Sequence, residues 1–189
     1  MKVNAGNLKK GNFVFQNSEI WQIQKAEFYS PGKGSALMKT KLKSLSSGKN
    51  VSHTYKSGEI IEILAVDCIE MQYLYKDNIS LYFMNERDYN QYTVSIAATN
   101  KVVDFIKEGA KYFVYVYEDK ALTIRPPTSV ILKIIKTEDA IKGNTASGGA
   151  RKAAKVETGV TVMVPLFIKN GESIIINPET GQYVERVKA

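Results

Sequence analysis

A short pattern, in which an aliphatic residue is followed by lysine, any residue and glycine, occurs at residues 8–11, 106–109 and 168–171. The second and third copies share the preceding phenylalanine and lie 62 residues apart. After each copy the sequence alternates in a way that is typical of β-strands. Repetition of this kind indicates repeated architecture. In a chain of 189 residues it predicts three similar units of about 60 residues, a size that suits small β-barrels.

Strand and turn signals place the boundaries of these units near residues 64 and 127. Residues 1–64 show the short strands and polar turns of a small SH3-like barrel. Residues 65–127 contain further strands, one predicted helix at residues 97–107, and a final Pro126-Pro127 pair that lacks the backbone donors of a strand interior. Residues 128–189 form the third unit. The predicted fold class is therefore all-β, with three small barrels.

Charge is distributed unevenly among the three units. The formal net charge of +7 divides into +6 for residues 1–64, −2 for residues 65–127 and +3 for residues 128–189. Two separate basic regions suit a polyanion that is contacted at two places, and nucleic acid is the commonest such partner. A generally lysine-rich proteome would produce the same excess, so composition leaves both explanations open.

The sequence disfavours membrane proteins and enzymes that act through side chains. No apolar run approaches the roughly 20 residues of a membrane span, and residues 1–7 do not resemble a signal peptide, so we expect a cytoplasmic protein. The single cysteine, Cys68, is expected to be a small buried apolar residue, and the single histidine, His53, is expected at a surface or strand edge. One residue of each type predicts no disulfide, no zinc site, no cofactor and no nucleophilic centre.

The segment Pro31-Gly32-Lys33-Gly34 predicts a narrow turn that presents one amine. Proline fixes φ at about −65°, and glycine tolerates backbone angles that strain other residues. Strand-like residues on both sides predict that the turn joins a hairpin. The same segment would also suit an ordinary exposed hairpin tip, so the turn by itself makes Lys33 only a candidate functional residue.

Three further lysines follow the turn at alternating positions: Lys39, Lys41 and Lys43. In a strand, residues with this spacing share one face, so we expect a positive row beside the Lys33 turn. Such a row can bind successive phosphates. A solvated sheet face is the alternative interpretation, and the spacing alone does not decide between the two.

Taken together, several segments resemble bacterial translation elongation factor P over the whole chain. The first unit contributes the Pro31-Gly32-Lys33-Gly34 turn, and the third contributes the most specific matches. The segments that carry the resemblance in the second and third units are Tyr73-Leu74-Tyr75, Phe83-Met84-Asn85, Pro126-Pro127, Val156-Glu157-Thr158-Gly159, Val164-Pro165-Leu166-Phe167-Ile168, Gly171-Glu172 and Gly181-Gln182-Tyr183-Val184-Glu185-Arg186-Val187.

The resemblance implies a fold and a function. The fold is an SH3-like or KOW-like barrel at residues 1–64 and OB-fold barrels at residues 65–127 and 128–189, arranged as an L with the outline of tRNA. The function is that of a monomeric, non-enzymatic factor that binds the 70S ribosome and its rRNA beside peptidyl-tRNA and relieves stalling at consecutive prolines. Lys33 matches the lysine that reaches toward the peptidyl transferase centre and that a modifying enzyme commonly extends.

The resemblance also implies RNA contacts in the third unit. Asn144 and Thr145 match a loop that approaches messenger RNA, and Arg151 and Lys152 are predicted at the end of the same glycine-rich basic loop, residues 142–152. Tyr183 and Arg186 match the C-terminal pattern, with a packed tyrosine and a surface arginine as the alternative interpretation. Asn144 stands where the family usually has aspartate, which exchanges a charge for a hydrogen-bond donor. Lys152-Ala153-Ala154 likewise departs from a Lys-Pro-Ala pattern. A divergent paralogue, or a general RNA-binding OB protein without a modified lysine, is the alternative, and tolerance of Lys33 substitutions would favour it.

Overall fold

The structure is a computed structural model, and it describes residues 1–137 and 151–187. The chain forms two compact units. The first contains residues 1–99 and 111–125, and the second contains residues 100–110 together with the described part of residues 126–189. Strands dominate both units, and residues 1–137 and 151–187 contain no α-helix. The predicted all-β class is confirmed.

The first sheet of the first unit has six strands: β1 (Lys2–Asn4), β2 (Phe13–Gln16), β3 (Glu19–Tyr29), β4 (Leu37–Ser44), β5 (Asn50–Lys56) and β6 (Ile60–Leu64). They are antiparallel and lie in the order β1-β6-β2-β3-β4-β5. A 3₁₀ turn, Ala5–Asn7, lies between β1 and β2. Because side chains alternate along a strand, one face of this barrel-like sheet buries Ile23, Leu42 and Tyr55. The other face is exposed along part of β4 and covered elsewhere.

The second sheet of the first unit has five strands: β7 (Asp67–Lys76), β8 (Ser80–Met84), β9 (Gln91–Ser95), β10 (Lys111–Tyr117) and β11 (Lys120–Ile124). Their order is β11-β10-β7-β8-β9, again antiparallel. Met71 and Phe83 are buried on its inner face. Cys68 lies on the opposite face of β7 and is exposed, so the expectation of a buried cysteine was wrong.

The predicted helix at residues 97–107 is absent, and two short 3₁₀ turns, Ile96–Ala98 and Asn100–Asp104, occupy its place. Asn100 has φ 57°, in the left-handed region that interrupts a right-handed helix. The hydroxyl of Thr99 also donates to the carbonyl oxygen of Ile96 at 2.9 Å. Local side-chain bonds of this kind compete with helix formation, which explains the difference.

The sheet of the second unit has five strands: β12 (Val130–Thr137), β13 (Arg151–Val156), β14 (Thr161–Pro165), β15 (Ser173–Asn177) and β16 (Gln182–Arg186). Their order is β14-β13-β12-β15-β16. The core combines branched aliphatic side chains of these strands with Phe105 from the segment at residues 100–110. The predicted domain boundaries near residues 64 and 127 and the L-shaped arrangement stay predictions.

The pattern found three times in the sequence forms three similar turns. In each, the lysine carbonyl accepts a hydrogen bond from the amide three residues later, at 3.1, 3.2 and 3.4 Å. The third residue of the turn has φ of 91°, 79° and 83° in Gly11, Gly109 and Gly171. A type II turn needs this left-handed conformation, which glycine adopts without strain. Each turn precedes a strand, and a buried aliphatic residue precedes each lysine: Leu8, Ile106 and Ile168.

The two sheets of the first unit share a small apolar cluster. Phe13, Leu45 and Ala98 are buried in it, and Tyr115 packs against it with its ring centre 5.1 Å from that of Phe13. The turn between β4 and β5 approaches the second sheet closely, because a Cβ atom on Gly48 would lie 2.9 Å from the carbonyl oxygen of Ala97. These contacts join the first and second sheets into one compact unit.

Tyr55 makes the stability of the first unit sensitive to alkaline pH. Burial, with a smaller contribution from Glu59, raises the pKa of Tyr55 to about 12, although its hydroxyl donates to Gln16 Oε1 at 2.7 Å. An unfolded tyrosine ionises near pH 10. The stabilisation from this group is therefore complete below about pH 10 and is lost as the pH rises toward 12, because only the unfolded state ionises in that interval.

We expect the free energy of unfolding to decrease between about pH 10 and 12, and to decrease less steeply in Tyr55→Phe. Urea titrations followed through Trp21, the single tryptophan, report on the first sheet. Tyr89→Phe, which removes an exposed hydroxyl, is the control. Equal slopes for Tyr55→Phe and the unmodified chain would contradict the assignment.

Candidate functional site

The predicted hairpin around Lys33 is confirmed. Strands β3 and β4 pair along their length as far as Tyr29 and Leu37, and residues 30–36 form the connecting loop. Lys33 is exposed at the tip of this loop. Gly34 has φ 105°, and a Cβ atom on Gly32 would meet no atom within 4 Å. The loop is therefore thin, and its backbone direction depends on a glycine beside the lysine.

The base of the loop is fixed to the rest of the first sheet. The carbonyl oxygen of Ala36 accepts a hydrogen bond from the amide of Ser57 at 2.8 Å. Pro31, at the start of the loop, is half-buried, and its Cγ lies 4.0 Å from the position of a Cβ atom on Gly34. Lys33 is thus carried by a loop that is restrained at both ends and open at its tip.

Two of the three alternating lysines form an exposed pair, and the third does not join them. Lys39 and Lys41 are exposed on the outer face of β4, as the spacing predicts. Lys43 is only 2% exposed, and burial lowers the pKa of its ammonium group. Ser44 and Leu45, which follow it, are buried as well. The predicted row of three lysines is therefore corrected to a pair. The last residues of β4, from Lys43 onward, lie in a part of the sheet that other residues cover.

The outer face of β3 adds one carboxylate and one more amine. Nζ of Lys25 forms an ion pair with Oε1 of Glu27 at 2.5 Å. The hydrogen bond and charge of Lys25 hold the pKa of Glu27 below its usual range, and Lys39 and Lys41 contribute in the same direction. Glu27 is directly opposite Lys39 in the sheet register. Three lysines around one carboxylate leave this face with an excess of positive charge.

An exposed aromatic residue beside the lysine pair was not recognised in the sequence. Tyr29, the last residue of β3, is 49% exposed, and Nζ of Lys39 lies 4.8 Å from its ring centre. This distance is that of a cation–π contact. The signal was present in the sequence, because an aromatic residue directly before a turn of glycine and proline has few neighbours to cover it.

The candidate residues of the second unit lie on its sheet, with two exceptions. Arg151 and Lys152 were predicted in a loop but are the first two residues of β13, because both pair with residues of β14. Arg151 is exposed, and Lys152 is half-buried. Asn144 and Thr145 lie outside the described residues. Arg151 is paired with Pro165 of the neighbouring strand β14.

Tyr183 and Arg186 both lie on β16 but have different surroundings. Tyr183 packs against the core of the second unit, and burial raises the pKa of its hydroxyl. Arg186 Nη1 pairs with Oε1 of Glu172 at 3.1 Å, and its guanidinium carbon lies 5.9 Å from the ring centre of Phe167. A backbone hydrogen bond from Lys169, together with Arg186, holds the pKa of Glu172 below its usual range. These contacts give both residues a structural role, and RNA contact by either stays a prediction.

The remaining candidate residues show what chemistry the surface supports. His53 is exposed on the edge strand β5, as predicted. Within the part of the chain that the structure describes, no three residues among His, Cys, Asp and Glu lie together as a metal site. No helix among residues 1–137 and 151–187 is long and apolar enough to cross a membrane. The Lys33 hairpin carries exposed amines on its loop and strands and an exposed aromatic ring at the end of β3, which are groups suited to binding.

Comparison with protein families decides the assignment. The elongation factor P KOW-like domain matches residues 4–61, the elongation factor P OB domain matches residues 66–124, and the C-terminal elongation factor P model matches residues 130–186. The chain belongs to the elongation factor P family. Membership in this family makes it a translation elongation factor, and the resemblance seen in the sequence is confirmed.

Individual relatives agree with this assignment over nearly the full chain. Elongation factor P of Finegoldia magna is 40% identical over 98% of this chain and 100% of its own length. Elongation factor P of Coprothermobacter proteolyticus is 39% identical over 98% of this chain and 99% of its own length. Eukaryotic translation initiation factor 5A from Methanococcus jannaschii, a solved structure, aligns at 17% identity with a TM-score of 0.46, over 66% of this chain and 95% of that chain. The family assignment rests on the sequence relatives alone.

Proposed function

We propose that this family member binds the 70S ribosome beside peptidyl-tRNA and stimulates peptide bond formation at consecutive prolines. Lys33 reaches toward the peptidyl transferase centre, and the exposed lysine pair, Lys39 and Lys41, lies along phosphates of the acceptor arm. The protein acts in the cytoplasm as a monomer. It contributes positioning and holds no catalytic centre of its own.

The observation that carries this proposal is the place of Lys33 in the fold. It is exposed at the tip of a thin loop, while the strands below the loop carry Lys25, Lys39 and Lys41 on one face. A narrow projection with one amine at its end can enter a crevice that excludes a globular surface. The positive face behind it is suited to phosphates, whose contacts fix the orientation of a protein on RNA.

The proposed role needs no reactive side chain. The ring of proline restricts its backbone, and a nascent run of prolines resists the geometry in which the amine attacks the ester. Holding two reactants in the right geometry can lower the barrier of a reaction by several kcal/mol, roughly 7–11 at most. A factor that braces the end of peptidyl-tRNA therefore accelerates the slow step by restoring alignment.

Further contacts follow from the same proposal. A modifying enzyme extends Lys33, whose neighbours leave the amine accessible. The segment that contains Asn144 and Thr145 approaches messenger RNA, and Arg151, Lys152, Tyr183 and Arg186 contact RNA in the same region. Intact mass measurement of natively produced protein, with peptide mapping across residues 26–39, identifies the group on Lys33.

Toeprinting on a reporter with three consecutive prolines tests the function. Ribosomes should accumulate at the prolines without the protein, and adding natively produced protein should remove that stall. A reporter with alanines in place of the prolines is the control, and its pattern should not change. If the stall persists at saturating protein, or if both reporters respond equally, the function is not relief of proline stalling.

A further inference from the structure

The stem of the Lys33 hairpin carries an aromatic ring that the proposed function does not use. Tyr29 is paired with Leu37, and Lys39 follows two residues later on β4, so both side chains lie on the outer face of the sheet. Nζ of Lys39 is 4.8 Å from the ring centre of Tyr29, and the tyrosine is still 49% exposed. An ammonium group lies against the ring, and about half of the tyrosine is in contact with water. The exposed part of the ring is available to stack on a planar group of a binding partner.

The charges around Tyr29 indicate that the planar partner of the ring is a base of RNA. Lys25, Lys39 and Lys41 lie on the same face, and the one carboxylate among them, Glu27, is already paired with Lys25. Surfaces that bind single-stranded nucleic acid combine amines, which follow the backbone, with aromatic rings, on which bases stack. An acidic protein segment would satisfy the amines but would leave the ring without a planar partner.

Single-stranded RNA is favoured over a duplex for a similar reason. Bases within a helix are stacked on each other, and only loops and ends present a free face to a side chain. Tyr29 lies four residues before Lys33, so the two are separated by at most about 14 Å of extended chain. An unpaired strand that reaches the amine at the tip of the hairpin therefore passes within reach of the ring.

We propose that Tyr29 stacks on a nucleobase in the unpaired 3′ end of peptidyl-tRNA, with Lys39 holding the ring in place. The inference rests on the proposed function and adds a base contact to the contact made by Lys33. Tyr29 is a positioning residue in this account, because it holds the tRNA end and does not touch the reacting atoms.

A neighbouring residue provides a matched control. Phe28 is 57% exposed, precedes Tyr29 directly and lies on the opposite face of β3, where it is paired with Met38. Loss of its ring removes a similar aromatic area from the same stem, but from the side away from Lys39. A general requirement for apolar surface would make Phe28 and Tyr29 equally important, whereas stacking beside Lys39 distinguishes them.

The test measures the rate of peptide bond formation on ribosomes stalled at three prolines, as a function of protein concentration. The modification of Lys33 is matched by mass spectrometry in all variants. Tyr29→Ala should raise the concentration for half-maximal stimulation by about tenfold, the usual effect of removing one stacking ring. Tyr29→Phe and Phe28→Ala should each stay within about twofold of the unmodified chain, because both keep a ring beside Lys39.

A second arm uses peptidyl-tRNA from which the base of each terminal nucleotide is removed in turn. If Tyr29 stacks on one of these bases, the penalty for Tyr29→Ala should vanish on the tRNA that lacks it and persist on the others. An unchanged penalty on every abasic tRNA, or an equal penalty for Phe28→Ala, overturns the inference. A defect of Tyr29→Ala that disappears once the modification of Lys33 is matched also overturns the inference. Tyr29 would then be needed for recognition by the modifying enzyme and not for contact with tRNA.

The same assay separates this inference from the function on which it rests. If the unmodified chain gives no stimulation at prolines, the proposed function fails and the stacking inference fails with it. If the unmodified chain stimulates and Tyr29→Ala does so at the same concentrations, only the stacking inference fails.

Discussion

Replacement of Lys33 by alanine is expected to abolish the stimulation of peptide bond formation at consecutive prolines while the protein folds normally. The side chain of Lys33 lies in solvent at the tip of a loop, and surface substitutions of that kind usually change the free energy of unfolding by less than about 0.5 kcal/mol. The functional effect should be far larger. A misplacement of reacting groups by about 1 Å can cost on the order of a hundredfold in rate, and we expect a loss of that size.

Two controls separate the parts of this prediction. Lys10→Ala removes an exposed lysine from a turn elsewhere in the first unit and should leave the rate unchanged. Lys33→Arg keeps the positive charge but removes the amine that an enzyme would extend, so it reports how much of the effect comes from modification. Single-turnover kinetics give the rates, and thermal unfolding shows whether each variant is folded. Stimulation by Lys33→Ala equal to that of the unmodified chain would contradict the assigned role.

Replacement of Phe13 by alanine is expected to lower the free energy of unfolding of the first unit by about 3–5 kcal/mol. Phe13 is 1% exposed, and it packs edge to face on Tyr115 of the second sheet. Its removal leaves a cavity in the cluster that the two sheets share. The usual stability of a domain is about 5–15 kcal/mol, so this single change removes a large part of it.

Hydrogen exchange measures this effect in each sheet separately. Amides of both β2 and β10 should lose protection in Phe13→Ala, because the cluster belongs to both sheets. Phe15→Ala is the matched control, since Phe15 is on the same strand but is 47% exposed, and it should cost less than about 1 kcal/mol. Loss of protection confined to the first sheet would show that the second sheet is stable without the shared cluster.

Features set by local chemistry could be predicted from the sequence. The three repeated turns depend on a glycine at one position and an aliphatic residue three positions before it, and both are visible in the sequence. The hairpin around Lys33 was likewise predictable, because proline and glycine interrupt two strand-like runs. The exposure of Lys39 and Lys41 follows from alternation along β4.

Features set by contacts between distant residues could not be predicted in this way. Alternation places Lys43 on the same face as Lys41, but it does not tell how far along the strand that face is covered. Cys68 was assigned to the core from its residue type, whereas Ile69 and Met71 define the inner face of β7 and leave the cysteine outside. The interrupted helix depends on the left-handed conformation of Asn100, which no periodicity reveals.

The candidate site was predicted in part for the same reason. Lys33, Lys39 and Lys41 lie close in sequence, so one predicted hairpin carries all three. The contact between Tyr29 and Lys39 depends on the register of β3 against β4, which the sequence does not fix on its own. Arg186 contacts the carboxylate of Glu172 and the ring of Phe167, and neither contact can be predicted from the arginine alone.

A cryo-electron microscopy structure of a ribosome stalled at three prolines, with natively produced protein bound, would test the position of Lys33 directly. We expect the loop at residues 30–36 to enter the ribosome, and Nζ of Lys33, or the group attached to it, to contact the 3′ end of peptidyl-tRNA. Density that places this loop in solvent, or that places the protein away from peptidyl-tRNA, would contradict the proposed role of Lys33.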